Sequence, residues 1–376
     1  MTENTERTVV RGLKNVHAAE TKISFVDPMG TLYYLGYNID DLVENVCYEE
    51  VAYLLINKKL PTKKELKEFK ALLVSEMTLP DEIIKSLKCT PKQAHPMEVL
   101  RTEVSHLSQY DADCRDNSEE ANKKRAIQLI AKVPAVVAAL YRLRNNKQPI
   151  ASNEEVCFAE NFLYMFRGTD PDDEEKKAIA RFMTLHADHG FNASTFAARI
   201  TASTNSDVYS AVTSAIGTLK GPLHGGASER VMYMLDDINT EEEVEDYIQG
   251  MLSNNKKIMG FGHRIYKTED PRTKHLRGIA EKLCQSKNVA KLNLCLKIES
   301  VVYEKKSIFP NVDFYAAVTL DALGVPSQFF TPFFASSRIS GWTAHILEQY
   351  EDAVLLRPSS KYVGEFGKPF VPIEQR

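Results

Sequence analysis

The sequence predicts a mainly α fold of many helices with one small β-hairpin near its N-terminus. From about residue 40 onward apolar residues recur at helical spacing, while strand-like runs are confined to a short early segment. Strand–helix alternation, internal repeats and low-complexity tracts are absent. With 376 residues the chain can bury a large core and is expected to divide into two domains.

The elements follow in chain order. Residues 23–26 and 31–35 flank Asp27-Pro28-Met29-Gly30, a type I turn composition, which gives the hairpin. Leu42, Val43, Val46, Ala52, Leu55 and Ile56 then recur as on a helix until Leu60-Pro61 stops the run. Thr62 with Glu65, and Thr240 with Glu243, fit a capping box in which side chains satisfy the first free amides of a helix. Asp170-Pro171 and Asp270-Pro271 each read as an N-cap followed by proline at the first helical position. Pro134, inside an otherwise helical stretch over residues 121–143, predicts a kink or break. Residues 354–356 read as a short extended piece. No Gly/Ser linker separates domains, so a second domain is expected as an insertion bounded by glycine-containing turns near residues 217–226 and Gly324.

Bulk properties narrow the function. The chain has 47 basic and 51 acidic side chains, a net charge of −4, which favours neither nucleic acid nor a membrane surface. Small-molecule partners are expected. Cys47, Cys89, Cys114, Cys157, Cys284 and Cys295 show no C-x-x-C spacing, arguing against a zinc ribbon, a redox dithiol or a disulfide framework and for buried thiols in a reducing compartment. Residues 1–11 are polar, without the apolar segment of a signal peptide, and no uninterrupted apolar run approaches membrane-spanning length. A cytoplasmic location is the expectation.

Two histidines in glycine-containing turns and one carboxylate at a helix start carry the chemistry. They lie in Gly221-Pro222-Leu223-His224-Gly225-Gly226, in Gly260-Phe261-Gly262-His263, and in Asn311-Val312-Asp313-Phe314-Tyr315. Two imidazoles and an acid can polarise two carbonyls and remove one proton, which is what joining two carbonyl compounds through a carbon–carbon bond requires. His224 precedes a helical stretch whose dipole favours a neutral ring; a turn histidine that caps the helix is the alternative. Glycines around His263 allow close approach to a ligand. Lys256, Lys257, Arg264 and Lys267 crowd that loop, either as a solvated basic surface or as a dock for a phosphorylated cofactor. Asp313, in a first helical turn, is either a base kept ionised by the dipole or a cap. His186 and His189 have a spacing that can bind zinc, or they are hydrogen-bonding or ligand-contact residues. Arg272, Arg338 and Arg357 suit a bidentate grip on carboxylates or surface salt bridges.

Together these segments resemble the citrate synthase family in its shorter bacterial and archaeal form, and the stretch from Gly260 to Arg272, GFGHRIYKTEDPR, looks like the family signature in full. The resemblance runs from Arg11-Gly12-Leu13 to Tyr362-Val363-Gly364. It implies a large helical domain over residues 1–224 and 321–376, a small inserted domain over 225–320, and a homodimer. By the same resemblance His224 holds the acetyl thioester oxygen, Asp313 removes the methyl proton and His263 holds the oxaloacetate carbonyl. His189, Arg272 and Arg338 match oxaloacetate-binding positions, and Arg357 is expected to arrive from the partner subunit. No metal or redox cofactor is implied; acetyl-CoA is a substrate. Two departures, Gly190-Phe191 after His189 and Ser359-Ser360 after Arg357-Pro358, concern fine substrate contacts. 2-Methylcitrate synthase, acting on propionyl-CoA, is the alternative, and the segment from His95 to Thr102 does not separate the two. A helical scaffold with a degenerate site, or a metal-dependent hydrolase using His186 and His189, would belong to other classes.

Overall fold

The computed structural model describes residues 9–13 and 16–376; most of the polar N-terminal stretch lies outside the described residues. The predicted hairpin is present as β1 (Ser24–Asp27) and β2 (Thr31–Tyr34), paired with Ser24 opposite Tyr34 and Asp27 opposite Thr31. A third short strand, β3 (Tyr37–Asn38), completes an antiparallel sheet in the order β1-β2-β3. Gly30 takes φ +96° in the turn, and a Cβ there would lie 2.7 Å from Thr268 Oγ1. The turn thus rests directly on residues 267–269, where Lys267 N–H donates to Pro28 O at 2.9 Å.

Sixteen α-helices follow among the described residues. They are α1 (Ile39–Asn45), α2 (Tyr48–Asn57), α3 (Lys63–Glu76), α4 (Asp81–Cys89), α5 (Pro96–Leu107), α6 (Glu119–Arg144), α7 (Phe158–Arg167) and α8 (Asp173–His186), then α9 (Ala193–Ala202), α10 (Val208–Leu219), α11 (Ala227–Asp236), α12 (Val244–Ser253), α13 (Pro271–Lys287), α14 (Val289–Lys306), α15 (Val312–Ala322) and α16 (Phe330–Asp352).

The Thr62 capping box and the Asp270-Pro271 helix start form as expected. Three local expectations are corrected. Helix α8 begins two residues later than Asp170-Pro171 suggests, because Asp172 accepts from Glu174 and Glu175 N–H while Glu175 returns to Asp172 N–H, a complete box that the earlier pair lacks. Thr240 precedes a helix start as expected but makes no cap hydrogen bond; Glu243 instead accepts from Asn239 N–H at 3.0 Å, and the helix opens as a 3-10 turn (Glu241–Glu243) that runs directly into α12. Pro134 does not break α6, which runs through it for 26 residues. Its surroundings are buried on all sides, so packing outweighs the one missing hydrogen bond. Residues 354–356 join no strand. Of the cysteines only Cys284 and Cys295 are buried; Cys89 is exposed, and all six thiols are free.

Helices α6 and α16 form the centre. Helix α6 is long and apolar enough to cross a bilayer by length and composition, yet 67% of its apolar window is buried inside the protein. It packs against α16, α7 and α3. A cluster of aromatic rings locks this junction: Tyr141 stacks on Phe166 at 3.9 Å, and Phe333 of α16 meets Phe162 at 4.4 Å and Phe166 at 4.9 Å between centroids. Helices α9, α10 and α5 extend this layer. Helices α11 to α15 pack chiefly on one another, tied to the rest by α13 against α8 and α1 and by α11 against α16.

Gly341, in the middle of α16, is where the central helix touches the α8–α9 loop. Its N–H donates to Ala187 O at 3.1 Å, and an added Cβ would overlap Ala187 O and Asp188 Oδ1. Gly341→Ala gains about 1 kcal/mol of helix propensity but forces an overpacking that costs about 1–3 kcal/mol. We expect a lower melting temperature, since the Cβ would push the loop that carries His186 and His189 away from the central helix. An unchanged or higher melting temperature would show that the loop yields freely.

Candidate active site

The site is built from four chain segments. The first is the α8–α9 loop, held by the small sheet. The Tyr34 hydroxyl lies 2.8 Å from Asp188 O and accepts from Asp188 N–H at 3.2 Å, while Ser24 Oγ bonds Asp188 Oδ2 and Gly190 N–H donates to the same carboxylate oxygen at 2.9 Å. So anchored, the loop buries His186 and His189. His186 donates from Nδ1 to Phe182 O at 2.8 Å, and burial together with the Arg272 charge lowers its pKa to about 3. His189 sits with Nε2 3.0 Å from the Tyr266 hydroxyl and its ring 5.3 Å from that of His263. Burial, then Arg272, then His263 hold its pKa well below the usual value.

The second segment carries His224. The turn closes through His224 N–H to Gly221 O and Gly225 N–H to Leu219 O, both at 2.9 Å. Gly225 is required there, because a Cβ would lie 2.8 Å from Leu219 O. His224 Nε2 lies 3.3 Å from Ser194 N and 2.8 Å from Ser194 Oγ, which in turn accepts from Trp342 Nε1–H at 3.1 Å. A backbone amide can only donate, so Nε2 is the acceptor and the neutral ring carries its proton on Nδ1. Burial, followed by the Arg338 charge, lowers this pKa to about 4. Burial, rather than the helix dipole, is the leading cause of neutrality.

His263 has the opposite tautomer. Its Nδ1 accepts from Ile265 and Tyr266 N–H, each at 3.1 Å, which leaves the proton on Nε2. Burial and Arg272 lower its pKa to about 4. Both rings are therefore neutral hydrogen-bond donors near pH 7.

Asp313 stands in the first turn of α15, whose N-cap Asn311 accepts from Asp313 N–H at 3.0 Å. The expectation that the helix dipole keeps this acid readily ionised is corrected. Its Oδ1 is sealed from solvent without a partner, and burial, aided by Asp270, pushes its pKa up to about 7 against the opposing pull of Arg272 and Arg338. The result is a carboxylate poised to exchange a proton at neutral pH.

The two buried arginines differ in how they are held. Arg272 is clamped by Asp270 through Nε–Oδ1 at 2.9 Å and Nη2–Oδ2 at 2.7 Å. Arg338 donates from Nε to His186 O at 2.6 Å and lies 4.7 Å from the Phe334 ring centre, but its buried Nη2 has no partner. Burial lowers its pKa to about 10. An unpaired buried guanidinium edge is costly and is the expected state of a site that receives a carboxylate. The structure brings His189, His224, His263, Arg272, Arg338 and Asp313, all named from sequence, into one neighbourhood, since His189, His224, His263 and Asp313 each respond to Arg272, Arg338 or both.

Other residues named from sequence lie apart. Arg357, Lys256, Lys257, Arg264 and Lys267 are exposed, and of these Arg264 donates to Gly12 O. Among the described residues no group of three or more His, Cys, Asp and Glu side chains stands in metal-holding geometry, so His186 and His189 gain no third ligand. Sequence reasoning missed Ser194, Trp342 and Tyr266, which orient the histidines. The polar Asn192-Ala193-Ser194 run after His189 was the signal available for Ser194.

A helical enzyme with two neutral histidines of opposite tautomer, a near-neutral carboxylic acid and two buried guanidiniums is of the class that removes a carbon-bound proton beside an anionic substrate. The comparisons agree with that class. The family model described as "Citrate synthase, C-terminal domain" matches residues 12–359. Citrate synthase 2 of Bacillus subtilis is 47% identical over 371 residues, 98% of this chain and 100% of the relative. Citrate/2-methylcitrate synthase of the same organism is 40% identical, covering 94% of this chain and 96% of its own. The citrate synthase of Thermoplasma acidophilum, solved in a ternary complex with carboxymethyl coenzyme A and oxaloacetate, superposes with a TM-score of 0.94 at 32% identity, over 98% of this chain and 100% of that one. This chain belongs to the citrate synthase family.

Asp313 must be ionised to act as a base, and its raised pKa means the ionised fraction grows as pH rises. We expect kcat/KM to climb with a midpoint near pH 7, while the histidines, neutral above about pH 4, add no limb in that range. The native state binds the Asp313 proton more tightly than the unfolded chain, so stability falls as pH rises between the ordinary aspartate value of 3.8 and about 7. Asp313→Asn removes that loss, and its gain in melting temperature over wild type should be larger at pH 8 than at pH 5. An equal or smaller gain at pH 8 would show that Asp313 is not strained by its burial.

Proposed function

We propose that this enzyme condenses acetyl-CoA with oxaloacetate and water to give citrate and free CoA. The observation that carries this reading is the buried Asp313 carboxyl, poised near neutrality opposite histidines whose free N–H groups are fixed by local hydrogen bonds. A thioester methyl is a very weak acid, so a carboxylate can remove its proton only if the oxygen is stabilised as charge develops. In this reading Asp313 takes the methyl proton while His224 Nδ1–H donates to the thioester oxygen. The enolate carbon attacks the oxaloacetate ketone, whose oxygen accepts the His263 Nε2–H hydrogen bond and takes that proton, and the proton that Asp313 removed returns to the site to restore neutral His263. Water cleaves the resulting citryl thioester, and CoA leaves as the thiol. His189, Arg272 and the open edge of Arg338 hold the oxaloacetate carboxylates, and Lys256, Lys257, Arg264 and Lys267 meet the CoA phosphates.

Residues 225–320 act as an inserted lobe that closes over oxaloacetate, since Arg272 lies in it and Arg338 outside it. What supports this is the packing of α11 to α15 chiefly on one another. A ligand contacting both lobes stabilises the closed state, and closure keeps water from the enolate. The enzyme works in the cytoplasm, as six free thiols suit a reducing compartment.

Thiol release, measured side by side with acetyl-CoA and propionyl-CoA, tests the substrate. We expect oxaloacetate-dependent release with acetyl-CoA preferred. One methylene changes discrimination by about 1–3 kcal/mol, and a preference for propionyl-CoA would favour 2-methylcitrate formation, an activity named for one of the relatives. Asp313→Asn should nearly abolish turnover while oxaloacetate still binds; near-normal turnover would overturn its role as base.

Arg357, exposed and without a partner in its own chain's site, completes the site of a second copy in a homodimer. Homodimers of Asp313→Asn and of Arg357→Ala should both be nearly inactive. Their heterodimer holds one site with both lesions and one with neither, so mixing after reversible dissociation should restore activity. Folded heterodimers that stay inactive would place Arg357 outside the partner's site.

A further inference from the structure

Two catalytic loops meet at one side chain. Asn311 commits three polar groups in different directions: its N–H donates to Gly260 O at 2.8 Å, Nδ2 donates to Gly262 O at 2.9 Å, and Oδ1 accepts from Asp313 N–H at 3.0 Å. Gly262 directly precedes His263. The backbones reinforce the junction, with Gly262 N–H donating to Phe309 O at 3.0 Å and an isolated antiparallel bridge between Phe261 and Pro310. Gly260, at φ +79°, lies so close to α15 that a Cβ would sit 2.9 Å from Phe314. No other side-chain hydrogen bond among the described residues joins residues 260–263 to residues 309–313.

We infer that Asn311 is a positioning residue that fixes the separation between His263 and Asp313, the group that polarises the ketone and the base that frees the attacking carbon. The inference rests on the roles proposed for those two residues. As a helix cap alone, Ser, Asp and Asn serve about equally well. Only the amide both accepts at the helix terminus and donates to a carbonyl on the far loop. Aspartate would set a lone pair against Gly262 O, and serine is too short to reach it. The bond-forming step needs the methyl carbon in place between both groups, and a displacement of about 1 Å can cost about a hundredfold in rate.

Asn311→Ser separates the two functions, because it keeps the cap and loses the link. We expect kcat to fall about tenfold to a hundredfold, with KM for oxaloacetate near wild type because Arg272, Arg338 and His189 are untouched. The kinetic isotope effect with methyl-deuterated acetyl-CoA should rise as proton removal becomes slower relative to the other steps. Asn311→Asp, which keeps shape and cap, should also lose kcat, and its added charge should move the acid limb of the pH profile upward. If Asn311 only caps α15, both variants keep the wild-type kcat and isotope effect, and the inference is overturned. Lost activity with an unchanged isotope effect and a collapsed melting temperature overturns it as well. Asp313→Asn, assayed alongside, separates the two levels: turnover there means the catalytic roles themselves are wrong, whereas an inactive Asp313→Asn beside a normal Asn311→Ser removes only the link.

Discussion

Two buried guanidiniums, one neutralised and one left open, set the conditions for every other group in the site. Asp270 offsets the charge of Arg272 through paired short contacts, whereas Arg338 has only a carbonyl at Nε, an aromatic face and the more distant Asp188 carboxylate. The surplus is positive. It disfavours protonation of His189, His224 and His263, adding to what burial does, and it restrains the rise of the Asp313 pKa that burial alone would drive further. Burial is thus the first source of the neutral donors and the near-neutral base, and this positive surplus is a second source that acts on all four groups.

That source is stable only because the fold keeps it dry. Helix α16 places Arg338 one turn beyond Phe334, the last of a run of phenylalanines, and Gly341, three residues further on, lets the helix press against the loop that carries His186 and His189. The three-stranded sheet would be marginal alone. Here it acts as a clamp, with Ser24 and Tyr34 holding the histidine loop and Pro28 holding Lys267 in the loop that follows His263. A small element far from the site in sequence therefore connects the His186–His189 loop with the loop that follows His263.

Much of this was legible in the sequence, and the pattern of what was not is instructive. The helical class, the hairpin, the Thr62 and Asp270 caps and the glycine turns around His224 and His263 depend on local chemistry, which sequence records directly. The Asp170 start failed because Asp172, two residues on, offers a complete capping box, whereas the Thr240 box failed because the Glu243 carboxylate turns to Asn239 N–H. Pro134 failed because burial on all sides overrode a local rule. The ionisation of Asp313 failed for the same reason: a helix dipole contributes a few tenths of a kcal/mol to about one, and complete desolvation of a carboxylate outweighs it. Ser194 offered only the polar run after His189 as a signal, and the side-chain contacts of Tyr266 with His189 and of Trp342 with Ser194 could not be read, since they join segments distant in sequence.

The tautomers show why such contacts matter chemically. A neutral imidazole offers one donor, and the ring nitrogen that carries it is decided by whatever occupies the other. Ser194 occupies Nε2 of His224, while backbone amides occupy Nδ1 of His263, so the two rings present different atoms to the substrates. The second arrangement is local: the two amides belong to the residues two and three beyond His263. The first is not, because Ser194 opens α9 and takes its own hydrogen bond from Trp342 in the central helix. The donor proposed for the thioester is thus fixed by the packing of α9 against α16, and the donor proposed for the ketone by a turn in the α11–α15 group. In the proposed reaction each substrate's hydrogen bond is consequently set by a different group of helices, and the condensation would require the two groups to be brought into register.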